Sequence, residues 1–172
     1  MSKIIAPYQD TLPKIHPSAV ILPNTAIIGD VVIDQESSIW FGVVLRGDVN
    51  YIRIGKRTNI QDNTVVHVTS GGSPTIVGDD VTIGHGAIIH ACTIGDRVLI
   101  GMGAIVMDDV VIEADCLIAA GSLLSPGKKY PRGYLIKGSP AKASRPLTDQ
   151  ELQGLKNSST HYVNIASNYK TK

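Results

Sequence analysis

Three of the five histidines, His67, His85 and His90, fall within one stretch of the chain. Imidazole is the commonest metal-binding side chain in proteins. Three neutral rings around a zinc leave a fourth position open, the arrangement of a catalytic rather than a structural site. A zinc–nitrogen bond is about 2.0–2.1 Å long, so such rings must converge within a few ångströms. Linear spacing alone does not bring them together: His67 and His85 are eighteen residues apart, which has meaning only once the folding period is known. Polar groups that could surround an ion stand upstream, in Arg46-Gly47-Asp48 and in Asn59, Gln61 and Asp62. His16, before Pro17, and His161 have no such company and are read as structural.

The elements that must position these rings follow from a repeat. Ile15, Ile21, Ile27, Ile33, Ile39 and Leu45 stand six residues apart without adjustment of register. Small or β-branched residues follow each at the fifth place: Ala19, Thr25, Val31, Ser37, Val43 and Val49. The pattern resumes through Ile54, Ile60, Val66, Val77, Ile83, Ile89, Ile94, Ile100, Val106, Ile112, Ile118 and Leu124. A period of six is neither helical nor a plain alternation. It fits a short strand and a corner, three strands to a coil, the aliphatics pointing inward and coils stacking as parallel strands. The spacing predicts an all-β solenoid of about six three-strand coils over residues 15–125. Glycines after aliphatics, as in Ile28-Gly29, Ile54-Gly55, Ile83-Gly84, Ile94-Gly95 and Ile100-Gly101, are expected where the backbone bends tightly. A Pro/Gly-rich connector over 126–147 and a terminal α-helix over about 149–168 complete a single domain, 1–172. Thr148 with Glu151 reads as that helix's capping box, and Leu152, Leu155, Tyr162, Ile165 and Tyr169 as its apolar stripe.

Counted in repeat units, the histidines separate. Ile54, Ile60 and Val66 begin three faces of one coil, and Val77, Ile83 and Ile89 the same faces of the next, with a loop at Thr69 to Thr75 between. His67 and His90 then stack directly on the third face, side chains outward. Arg46 extends their column if Tyr51 to Arg53 is a corner insertion. His85 and Gln61 belong to the second face, across an edge. The third imidazole is therefore expected from a neighbouring subunit, through a heterologous interface that a three-sided prism closes as a trimer. Arg46 could fork onto Asp48 or Asp62 of a neighbour, and Gln61 could meet a metal-bound water. Asn59 suits equally a polar role there and a corner needing unusual dihedrals.

Composition narrows the classes. Sixteen Lys and Arg balance fifteen Asp and Glu, so no basic footprint points to nucleic acid or an anionic membrane. Residues are 18% charged and 43% hydrophobic, which argues against disorder. Two cysteines make no disulfide framework. No apolar run approaches the ~20 residues of a membrane helix, and Met1 to Lys14 does not read as a signal peptide. A soluble cytoplasmic protein is expected.

Arg46-Gly47-Asp48, Asn59-Ile60-Gln61-Asp62, His67, the His85-x4-His90 pair and the Gly138-Ser139-Pro140-Ala141 connector resemble the γ-class carbonic anhydrases of the hexapeptide-repeat family, over roughly residues 10 to 170. The resemblance implies a left-handed parallel β-helix, a hand that spacing does not supply. It also implies a homotrimer whose Zn2+ (Fe2+ or Co2+ in some members) is held by His67 and His90 of one chain and His85 of another. Gln61 and Asn59 would then flank the reacting water, Arg46, Asp48 and Asp62 would bridge subunits, and Tyr162 would approach the site from the helix. The reaction implied is reversible hydration of CO2 to bicarbonate. One departure is plain: Thr69-Ser70-Gly71-Gly72-Ser73-Pro74-Thr75 carries no carboxylate, and Val49 follows Asp48, where the best-characterised type has an acidic loop and glutamates for proton transfer. Weak or conditional activity is expected. Two rival readings are an acyltransferase or thioesterase acting on coenzyme A esters, with one histidine as general base, and a metal-binding protein without turnover.

Overall fold

The hexad of aliphatics winds into a parallel β-solenoid of about seven turns with one C-terminal helix, consistent with a left-handed β-helix. The computed structural model describes residues 2–169. On the second face the rungs run Val20–Ile21, Ser38–Ile39, Asn59–Ile60, Thr82–Ile83, Leu99–Ile100, Leu117–Ile118 and Tyr134–Gly138, each parallel to the next. Along that face Ile39, Ile60, Ile83, Ile100, Ile118 and Ile136 stack with no side-chain surface left to water. Burying an isoleucine contributes about 1.5–3 kcal/mol, so the repeated inward residue is what holds one turn on another. The fifth-place residues Thr25, Ser37 and Val43 are buried at the corners as their size allows. Val49 is the exception and faces solvent, because the chain bulges there.

Four details differ from the spacing argument. The turns number about seven rather than six, because Ile4–Ala6 pairs with Ala26–Ile33 and begins the stack before Ile15. At the other end the 126–147 stretch is strand rather than connector: Lys129–Tyr130 and Tyr134–Gly138 continue the rungs, and Ala141–Pro146 closes them as an antiparallel partner. Prolines and glycines masked these strands because they occupy the corners. The insertion beside the Arg46 column is Asp48 to Tyr51, not Tyr51 to Arg53. Gly29 pairs with Gly47 and Val31 with Ile52, so four residues on one strand, Asp48 to Tyr51, oppose the single Asp30 on the other. Finally, Gly84 and Gly95 do not sit at left-handed corners. A Cβ on either would lie 2.8 Å from a backbone nitrogen of the next turn, Met102 or Ala114. Close stacking selects them; the left-handed corner residue comes two places later, at Gly86 and Arg97.

At the corner leading into the second face the left-handed residues form a column of alternating charge: Glu36, Arg57, Asp80, Arg97 and Asp115. Arg57 forks onto Asp80 at 2.7 Å through both Nε and Nη2. Arg97 forks onto Asp115 at 2.6 and 3.1 Å, and Arg132 closes the column at 2.6 Å from the same carboxylate. The guanidinium of Arg97 foremost, then Arg132, holds the Asp115 carboxyl below the usual range against the upward push of burial.

The helix Asp149–Ser167 starts where expected. Thr148 accepts from the Glu151 N–H at 3.2 Å, and Glu151 accepts from the Thr148 N–H at 2.9 Å. Its buried residues are Leu155, Ser159 and Ala166; Leu152, Tyr162 and Ile165 are half-buried, and Tyr169 lies exposed past its end. The helix reaches the second face where Ser158 Oγ meets Thr82 Oγ1 at 2.9 Å, and that contact positions Tyr162 beside Trp40, ring centroids 5.6 Å apart.

Candidate metal centre

Strands Val65–His67 and Ile88–His90 pair in parallel with His67 directly opposite His90. Val66 and Ile89, one place before them on each strand, are fully buried, so strand alternation turns both imidazoles outward. The rings tilt together with centroids 5.2 Å apart, and His67 Nδ1 lies 3.1 Å from His90 Nε2. Each ring is backed on its far side by a carboxylate. Asp48 Oδ1 is 3.0 Å from His67 Nε2, and Asp108 Oδ1 is 2.7 Å from His90 Nδ1. Arg46 pairs with the other oxygen of Asp48, and Thr69 Oγ1 donates to the other oxygen of Asp108. Partial burial pushes the Asp48 carboxyl upward, but hydrogen bonds from His67 and Arg46 outweigh it and hold the group below its ordinary value. The Thr69 hydroxyl first, then His90, does the same for Asp108.

This arrangement fixes the donor chemistry. An ionised carboxylate only accepts hydrogen bonds, so His67 must donate from Nε2 and His90 from Nδ1. With one proton on each ring, the two remaining nitrogens present lone pairs to each other 3.1 Å apart, a separation at which a shared cation, a proton or a metal ion, joins them. Two nitrogens on one tetrahedral zinc, each at about 2.0–2.1 Å, would lie about 3.3–3.4 Å apart. The pair therefore fits a divalent ion. Among the described residues of a single chain, however, no three His, Cys, Asp or Glu side chains gather closely enough to hold one.

His85 stands apart, on the corner between Thr82–Ile83 and Ile88–His90. It lies at the start of the third face where His90 lies at its end, so the two histidines bracket one face at opposite edges. Its Nδ1 is 2.8 Å from Asp62 Oδ2, the corner residue one turn earlier. Asn59 and Gln61 are buried beside it. Gln61 Nε2 donates to Asn59 Oδ1 at 3.2 Å, and Asn59 Nδ2 donates to Thr82 Oγ1 at 2.9 Å. Asn59 is thus a strand residue facing the helix; the left-handed corner belongs to Asn63. Gln61, His85, Met102 and Tyr162 line a cavity of about 250 Å³ under the helix. Burial, helped by the nearby Asp62 charge, pushes the Tyr162 hydroxyl upward, so it stays protonated near neutral pH.

The expected residues therefore form two clusters. Arg46, Asp48, His67 and His90 lie at one edge of the third face; Asn59, Gln61, Asp62, His85 and Tyr162 lie at the other. Within the chain Arg46 pairs with Asp48 and Asp62 with His85. Asp108 and Thr69 were missed. The signal for Asp108 is its place eighteen residues after His90, one turn on; Thr69 sits at the base of a loop whose closure no local pattern encodes.

Comparison with known proteins places the chain. Residues 91–126 match the family described as bacterial transferase hexapeptide (six repeats). The chain is 46% identical over 162 residues to Gamma carbonic anhydrase 2, mitochondrial, of Arabidopsis thaliana, covering 91% of this chain but only 58% of the plant protein. A carbonic anhydrase of Geobacillus kaustophilus is 44% identical over 167 residues, with 97% of this chain and 91% of that protein covered. The chain belongs to the γ-carbonic-anhydrase-like family of hexapeptide-repeat proteins. A solved structure with the same architecture is a Bacillus cereus protein provisionally named an acetyltransferase, at TM-score 0.97 and 44% identity over 99% of both chains. Members of the γ-carbonic-anhydrase-like fold thus carry both anhydrase and transferase names, and the distinction lies in the site rather than the solenoid.

Proposed function

We propose that this protein is a γ-carbonic-anhydrase-like enzyme that reversibly hydrates CO2 to bicarbonate and a proton, at a divalent ion held between subunits of a homotrimer. The observation that carries the reading is the in-register His67–His90 pair, its inner lone pairs converging and its outer nitrogens held by carboxylates. The third ligand in this reading is His85 of a neighbouring copy. Edge-to-edge packing of third faces brings one chain's starting edge to the next chain's finishing edge. Val65 and Ile88, which lie outward between those edges, are 40% and 42% exposed in one chain, an aliphatic strip that such packing covers. The bound ion, zinc or otherwise iron or cobalt, supplies the Lewis acidity that makes water nucleophilic near neutral pH.

The chain's own residues orient the reactants. Gln61 is held by the series Ser158, Thr82 and Asn59. Its amide oxygen remains free to accept from water. Tyr162, protonated, donates toward a developing bicarbonate oxygen, and the apolar part of the cavity lined by Met102 suits uncharged CO2. Arg46 fixes Asp48, and Asp48 fixes His67. Export of the product proton is the weak step, because the 69–75 loop has no carboxylate of its own. Activity is therefore modest or buffer-dependent. Fast hydration by the zinc-loaded protein, unchanged by added imidazole buffer, would contradict this.

A coenzyme A acyltransferase is the second reading, favoured by the name of the Bacillus cereus neighbour. Chelation separates them, since an acyltransferase keeps its activity when the metal is stripped. A metal-binding protein without turnover is the third, and an intact site inert toward CO2 and esters in every metal form would favour it. The test is elemental analysis paired with stopped-flow CO2 hydration on native protein and His85→Ala. The expected result is loss of metal and rate with retention of the trimer; equal metal in both proteins would remove His85 from the site. A cytoplasmic location goes with this reading, and no helix among the described residues is long and apolar enough to cross a membrane.

A further inference from the structure

The residue behind His90 has a role of its own. We propose that Asp108, with Thr69, is the positioning residue that selects which nitrogen of His90 faces the ion. The inference rests on the metal-site reading above. A histidine ring offers either nitrogen to a metal, and the hydrogen bond at the other decides which. Free imidazole side chains in water favour the tautomer protonated on Nε2, which would leave Nδ1 as the donor. Asp108 imposes the opposite choice. Its Oδ1 lies 2.7 Å from Nδ1 of His90, and an ionised carboxylate accepts only, so in the neutral ring the proton is held on Nδ1 and Nε2 carries the lone pair that a metal would take. That Nε2 is the nitrogen 3.1 Å from His67.

Asp108 is itself fixed. Thr69 Oγ1 donates to its Oδ2, which leaves Oδ1 turned toward the imidazole. Thr69 lies at the base of a loop that is pinned independently: Asn50 Nδ2 donates to the Gly72 carbonyl at 2.9 Å, and Ser73 Oγ donates to Asp109 Oδ1 at 2.5 Å. The next turn of the solenoid therefore reaches back through Asp108 to orient a ring on the turn before it. Asp48 does the same for His67 from the other side, so the two carboxylates face each other across the imidazole pair. The loop that lacks an acid of its own instead anchors a carboxylate lent by the following turn.

The test uses full-length metal-free protein labelled with 15N-histidine. Long-range 1H–15N correlation spectra report the tautomer of His90, and competition with a chromophoric chelator reports zinc affinity. Native His90 is expected in the Nδ1–H form. Asp108→Ala should shift it toward Nε2–H and weaken zinc binding about 10- to 100-fold. Asp108→Asn, whose amide oxygen still accepts but carries no charge, should keep the tautomer and lose a smaller part of the affinity. Ser73→Ala releases the same loop without touching Asp108 and should change neither readout. A folded Asp108→Ala with native tautomer and native affinity overturns the proposal, as does Ser73→Ala matching Asp108→Ala. Should Asp108→Ala fail to fold, Asp108→Asn decides: a lost Nδ1–H form, or affinity equal to native, overturns it. Native protein that binds no zinc would defeat the metal-site reading, while the tautomer comparison would still decide what Asp108 does to His90.

Discussion

If each metal site is shared by two chains, two inactive variants should restore one another. His85→Ala keeps the His67–His90 pair; His67→Ala keeps His85. Within one chain these groups occupy opposite edges of the third face, so neither variant can repair itself. In a cyclic trimer each site takes its pair from one subunit and His85 from the next. With equal random mixing, the pair-bearing position is filled by the His85→Ala chain half the time, and the adjoining position by the His67→Ala chain half the time. About a quarter of the sites in the mixed population are therefore whole, against essentially none in either parent. The assay is co-expression with distinguishable tags, native mass spectrometry to count mixed trimers, and zinc and CO2-hydration measurements on the mixture. Recovery near a quarter of native zinc is expected, with activity in proportion. Mixed trimers that hold no more zinc than the parents would refute the shared site, as would a His85→Ala homotrimer that holds a full complement.

Other perturbations address the scaffold. Ile83→Ala removes a fully buried rung of the second-face stack and should cost about 2–5 kcal/mol in urea denaturation; a loss below about 1 kcal/mol would show that the stack relaxes around the cavity. Gly84→Ala should destabilise by about 1–3 kcal/mol, because its Cβ would meet a backbone nitrogen rather than a movable side chain, and an unchanged denaturation midpoint would count against close stacking as the reason for glycine. Thr148→Ala should lower stability by about 1 kcal/mol through the lost cap, with helix circular dichroism reporting whether the first turn frays. Asp48, Asp108 and Asp115 all have folded-state values held below the ordinary 3.8. Their contribution is therefore complete above about pH 4 and lost as pH falls through the lowered folded values. Denaturation midpoints should drop as the medium is acidified below pH 4, and a flat profile there would mean that these carboxylates ionise equally in the unfolded chain.

The inward face of the solenoid was legible because it repeats. Ile27, Ile33, Ile39 and Leu45 announce their burial by spacing alone, and the pairing of His67 with His90 follows from counting turns rather than residues. The ends were less legible. Ile4–Ala6 and Lys129–Tyr130 supply only one hexad-like step each, and Pro and Gly at neighbouring corners disguise the period. Outward partners were hardest to read, since the repeat constrains what points in and leaves surface positions free. Asp62 for His85 and Asp108 for His90 both lie one turn away from the ring they hold. Such partners emerge only when corners are aligned as carefully as cores. Asn59 shows the same limit in reverse: a residue suited to corners opens the short strand Asn59–Ile60, where Thr82 and Gln61 satisfy its amide.

The corner column of Glu36, Arg57, Asp80, Arg97 and Asp115 gives the stack a parity. Excising the turn that carries Arg57 would lower Glu36 onto Asp80, and duplicating a turn would set two like charges in contact. A solenoid of this kind can lengthen or shorten without electrostatic penalty only by two turns at a time, so its length is guarded by sign as well as by its capped ends.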